Sequence, residues 1–156
     1  MAHTISTEEE FADDLLDFVM NESLTNQRFH RNLKQQRTSS PFTNEIRILV
    51  RRYLEQHEVE VKNIFNTLVG FGNLSEDFKD YAVAMANILV QRGYKENDLV
   101  EFCALITKLA ILAFMNNFKH CITPAGTVIV SVIKHFKAAG QFTSDHWAKL
   151  GKVQLN

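Results

Sequence analysis

Apolar residues recur at three- and four-residue steps along most of this chain, which is the spacing of amphipathic helices. The first such stretch covers about 8–22, with Phe11, Leu15, Phe18 and Val19 on one stripe. Ser6 or Thr7 stands ahead of it with a glutamate three residues on, the pattern of a capping box. Glu8, Glu9, Glu10, Asp13 and Asp14 crowd its first turns, where the positive end of the helix dipole favours them. That accounts for them without invoking a paired-carboxylate site. From 21 to 42 the chain turns polar (NESLTNQRFHRNLKQQRTSSPF), which predicts a flexible loop with room for one short turn around Phe29 and Leu33.

Thr43 or Asn44 then opens one long helix whose Ile46, Leu49, Val50, Tyr53, His57, Val61, Ile64, Phe65 and Leu68 keep helical spacing until Gly70 and Gly72 end it. Ser75 is the expected cap of the next helix, which carries Phe78, Ala82, Met85, Ala86 and Leu89 and stops at Gly93. Asn97 or Asp98 starts the most apolar stretch, LVEFCALITKLAILAFM at 99–115, interrupted only by Glu101, Thr107 and Lys108. A helix apolar nearly all round belongs in the centre of a bundle. Thr123 and Pro124 read as cap and first residue of a further helix with Val128, Ile129, Val132, Ile133 and Phe136 inward, ended by Gly140. Thr143 or Ser144 begins a short last helix with Trp147 and Leu150. The expected fold is all-α: a single domain over 1–156, one apolar helix wrapped by amphipathic ones.

Charge and composition narrow the function classes. Seventeen Lys plus Arg against eighteen Asp plus Glu leave no basic excess for a phosphate backbone, so nucleic acid is not an expected partner. A membrane span needs about 20 residues with few charges, and Lys108 interrupts the one apolar stretch that approaches it. The start MAHTISTEEE lacks a signal-peptide pattern and AKLGKVQLN lacks an apolar tail, so no membrane anchor is expected. Cys103 and Cys121 have no paired-motif spacing and read as reduced thiols, which points to the cytoplasm.

Chemistry-bearing motifs are sparse. No two of the six histidines lie three or four apart on a helix as metal pairs do, so no metal is expected. His57 falls on an apolar stripe and reads as a core or rim histidine, and a nucleophile pair of His120 and Cys121 would need a third group whose position the sequence does not show. GFGNLS carries two glycines in a turn, without the pattern of a phosphate-cradling loop. His120 and His135 are the histidines to nominate for a haem, but neither sits in a haem-pocket pattern. The expectation is a binding protein, with neither cofactor nor catalytic centre.

The order of segments and several residues resemble the Bcl-2 family from about 8 to 151. EEFADDLLDFVMNESL resembles its first helix, and VRRYLEQHEVEVKNIF is similar to the second, which carries the third homology motif. In that motif Leu54 and Glu55 stand where a small residue and an aspartate are usual. NDLVEFCALITKLAI resembles the first homology motif, with Asp98, Leu99, Val100 and Glu101 in place of Asn-Trp-Gly-Arg, and SDHWAKLG resembles the second through Trp147 and Gly151. The resemblance implies a bundle whose groove takes the amphipathic helix of a pro-apoptotic family member. By position, Val61, Ile64, Phe65 and Leu68 would line one wall, Met85 and Leu89 the next, and Asp98, Leu99, Glu101 and Leu105 the floor. Each apolar residue of that set reads equally as ordinary core. Compact viral members share the missing tail and eroded motifs, which implies an apoptosis inhibitor in the host cytoplasm. The alternative is a helical adaptor or a self-associating homodimer acting on innate signalling. Glu101 reverses the charge of the family's arginine, so a narrower choice of ligands is expected, with Arg92, Lys95 or Lys108 as candidates to restore the cation.

Overall fold

A computed structural model describes residues 5–24 and 40–154 of the chain. Most of the polar stretch, including the turn expected around Phe29 and Leu33, lies outside the described residues. Seven helices occur in them: α1 (Thr7–Leu24), α2 (Asn44–Gln56), α3 (Glu58–Gly70), α4 (Leu74–Arg92), α5 (Glu96–Met115), α6 (Ile122–Ala138) and α7 (His146–Leu150). The fold is all-helical, and α5 packs against each of the other six. Twelve of its twenty residues are buried, among them Leu99, Ile106, Leu109 and Ile111, so the most apolar segment is the centre of the bundle.

Local chemistry sets the helix ends. Ser6 caps the start of α1: its hydroxyl accepts from the Glu9 N–H at 3.2 Å and donates to the Glu9 carboxylate at 3.0 Å, so the carboxylate meets the hydroxyl and not the Ser6 N–H of a full capping box. The helix runs to Leu24, two residues beyond the expected end. Glu8 is buried and paired with Lys137 of α6. Burial pushes its carboxyl up, but the Lys137 ammonium, its own backbone and Ser6 outweigh this and hold it below the usual carboxylate range.

Three caps differ from expectation. Asn73, not Ser75, caps α4, accepting from the Glu76 N–H at 3.5 Å, while the Asp77 carboxylate accepts the Asn73 N–H at 3.3 Å. α5 begins at Glu96, with Lys95 at the cap position and no side-chain cap, and the Asn97 amide donates to the Gln154 carbonyl at 2.8 Å. α6 begins at Ile122, before Thr123, so Pro124 stands third in the helix, still within the first turn whose N–H groups lack helical acceptors. In α7 the short helix starts at His146, whose ring nitrogen lies 2.9 Å from the Thr143 N–H.

The long helix expected over 44–70 is two helices meeting at His57. Neither proline nor glycine stands there. The bonds from His57 N–H to the Tyr53 carbonyl and from Val61 N–H to the His57 carbonyl survive, so the break is a bend and not a loop. Both α2 and α3 pack on α5, and a bend lets two successive segments follow one central helix.

The segment assigned to a polar loop ends in core. Phe42 is fully buried, its ring 5.8 Å from Phe11 and 5.6 Å from Phe18, with the Arg47 guanidinium 5.2 Å from its centroid. Ser40, also buried, donates to the Asp14 carboxylate and accepts from the Phe42 N–H. Phe11 continues the aromatic row to Trp147 at 5.1 Å, and Trp147 to Phe142 at 4.8 Å.

Candidate functional site

On α4, Met85, Ile88, Leu89 and Arg92 follow helical spacing along one side; on α5, Asp98, Glu101, Phe102 and Leu105 do the same. Facing each other, with Tyr53 of α2, they line a cleft of about 150 Å³. Its walls are apolar, and Ile88 is 49% exposed at the edge.

Charge gathers at the end of this cleft nearest the start of α5. The Asp98 carboxylate stands 3.8 Å from the Arg92 guanidinium, and its Oδ2 is buried with no hydrogen-bond donor among the described residues. Burial pushes the Glu101 carboxyl above its ordinary range and Asp98 adds to this, while His57 and Arg92 pull the other way. The Tyr53 hydroxyl is pushed up to about 12 by burial and by Glu101, Glu60 and Tyr81. Its ring lies 4.4 Å from that of His57, whose Nδ1 is 3.1 Å from the Glu60 carboxylate. Two carboxylates against one guanidinium make this end of the cleft acidic.

Of the ten residues expected to form a groove, Met85, Leu89, Asp98, Glu101 and Leu105 come together here. The other five do not. Leu99 is 1% exposed and belongs to the core; Phe65 and Leu68 are buried in the same core and Ile64 is packed against it. Val61 lines a different cleft, further along α5. The intended α3 wall is therefore packed down rather than standing beside an open trough. Tyr53, Ile88 and Phe102 were not singled out for the groove by sequence, although Ile88 sits three residues after Met85 and Phe102 three before Leu105, which places them on the same faces. Among the candidate substitute cations, Arg92 lines the cleft and Lys108 does not; Lys108 donates to Ser23 at 2.7 Å in the second cleft.

His120 and His135, the residues nominated for a haem, are both exposed. Cys103 and Cys121 are buried free thiols, both pushed up by burial, which disfavours the nucleophilic thiolate. Among the described residues, no group of three or more His, Cys, Asp or Glu could hold a metal ion, and no helix is long and apolar enough to cross a membrane. No protein-family model, curated protein or solved structure matches the chain.

Proposed function

We propose that the chain is a Bcl-2-like apoptosis inhibitor of the cytoplasm that captures the amphipathic helix of a pro-apoptotic partner between α2, α4 and α5, without catalysis or a cofactor. The observation that carries the reading is the cleft on the central helix, with apolar walls of Met85, Leu89, Phe102 and Leu105 and a charged end of Arg92, Asp98 and Glu101. Apolar anchors plus one charged contact are what helix-in-groove recognition requires.

The cleft of about 150 Å³ is smaller than small-molecule pockets, which start near 300 Å³, so a helix enters only if α2 and α4 move apart, which shifts α3, the helix that joins them. α3 is suited to that: the His57 bend precedes it and Gly72, with φ of 97°, follows it. Only Val61, Phe65 and Leu68 of its thirteen residues are buried. The affinity is lowered by the cost of opening.

The acidic end sets the choice of ligand. A partner helix bearing a basic residue opposite Glu101 is favoured, and one presenting an aspartate there meets like charge. The test is calorimetric titration of the protein and of Glu101→Arg against a panel of pro-apoptotic helix peptides, with helical peptides lacking the apolar stripe as controls. The expected result is saturable binding to few peptides by the parent and to more by the variant. Equal breadth in both would defeat the charge argument. No binding by either would favour the second reading, a closed helical adaptor or homodimer, which the packed-down α3 supports.

A further inference from the structure

Lys108 lies seven residues after Glu101, two turns along the same strip of α5, and Met115 seven beyond it. This part of the strip floors a second cleft, of about 600 Å³, between α1, α2, α3 and α5. Its apolar lining is Phe18, Val19, Leu54, Val61, Leu112 and Met115. Its size is that of pockets for small molecules.

The charges around it are not equivalent. Arg51 is paired with Glu22 across the α1–α2 side, and Lys62 with Glu58 along α3 at 3.1 Å. Glu55 is exposed at the rim. Lys108 is half-buried, and among the described residues its ammonium has one hydrogen-bond acceptor, the Ser23 hydroxyl, and no ion pair. An ammonium has three donors and is costly to shield from water without a counter-charge. Burial holds it below the ordinary lysine value, with Glu58 opposing and Lys62 reinforcing the shift.

We propose that this second cleft binds a small amphiphilic carboxylate, a fatty-acid-like molecule whose carboxylate accepts from Lys108 and Ser23 and whose tail lies along Phe18, Val61 and Leu112. The lining holds three cations and three carboxylates. Arg51 and Lys62 are paired with Glu22 and Glu58, which leaves Glu55 at the exposed rim and Lys108 at the floor, so an anion that reaches the floor meets the cation that has no counter-charge among the described residues. A partner helix fits less well, because Arg51, Glu55, Glu58 and Lys62 ring the opening with charge where a helix would need apolar anchors. The proposal does not rest on helix capture in the first cleft, although α3, which supplies Val61, would shift in both cases.

The test is titration calorimetry of the full chain with decanoate, and with decan-1-ol and decyltrimethylammonium as tail-matched controls. Decanoate is expected to bind one to one, and the alcohol about tenfold or more weaker, the worth of a charge-assisted contact. Lys108→Met should abolish that preference and Lys108→Arg retain it, with circular dichroism showing both variants folded. Amide shifts in the parent protein should move at Ser23, Val61 and Leu112. Equal affinity for acid and alcohol in the parent protein, shifts confined to Met85 and Leu89, or undiminished decanoate binding by a folded Lys108→Met would each overturn the proposal. The acid–alcohol comparison needs no variant, so it decides the matter even if Lys108→Met does not fold.

Discussion

The two clefts share one strip of one helix and differ in nearly everything else. Near the start of α5 the cleft is tight, about 150 Å³, and Asp98 and Glu101 make it acidic; towards the end it is wider, about 600 Å³, with the Lys108 ammonium at its floor. Between them α2 turns into α3 at His57, Tyr53 lining the first cleft while Leu54 and Glu55 line the second. A single buried helix thus presents opposite charge to two openings. The same bend that lets α2 and α3 follow α5 separates what each opening can accept. In the binding roles proposed, selectivity rests on where a few charged residues interrupt an otherwise apolar helix, more than on the shape of the bundle.

The largest effect should come from the foundation common to both ends. Ile106 is fully buried in α5, and Ile106→Ala should cost about 2 to 5 kcal/mol in urea unfolding. Binding at both clefts should weaken together; loss at one alone would mean the clefts do not share a rigid floor. A smaller effect should divide the two ends by pH. Glu101 is raised in the folded protein, so the folded state holds its proton longer, and stability falls as pH rises from the ordinary carboxylate value through the raised one. Lys108 is lowered, so stability rises as pH climbs from its folded value towards the ordinary lysine value. Glu101→Gln should flatten the first slope and Lys108→Met the second, in unfolding followed across pH. A variant that flattened the other's slope would show the ends to be electrically coupled. The smallest effect belongs to the rim: Lys62→Ala, which removes an exposed pair with Glu58, should change stability by less than about 0.5 kcal/mol by the same measurement.

Periodicity was enough to identify the bundle and its centre, because burial on α5 follows from a run that leaves few polar positions to expose. It was not enough to find the bend. Ile46, Val50, Tyr53, His57, Val61, Ile64 and Leu68 stay in helical phase straight through His57, and no proline or glycine marks the point, so only packing against α5 reveals it. Phe42 was hidden by its neighbours: one aromatic at the end of a polar run reads as loop, yet Phe11 and Phe18, both on the α1 stripe, leave a place for a ring between them. The site was half legible. Met85, Leu89, Asp98, Glu101 and Leu105 share faces that spacing alone can assign, whereas whether α3 stands open or packs down depends on helix placement, to which spacing along the chain is blind.

The aromatic row through Phe18, Phe42, Phe11 and Trp147 has a spectroscopic consequence. Trp147 is the chain's single tryptophan, buried where α1 meets α7 and touched by Phe142, with the Lys137 ammonium 5.8 Å from its ring. It lines neither cleft. Its emission therefore reports on the closure of the helical shell: it should change when the first and last helices come apart and respond little to occupancy of either cleft.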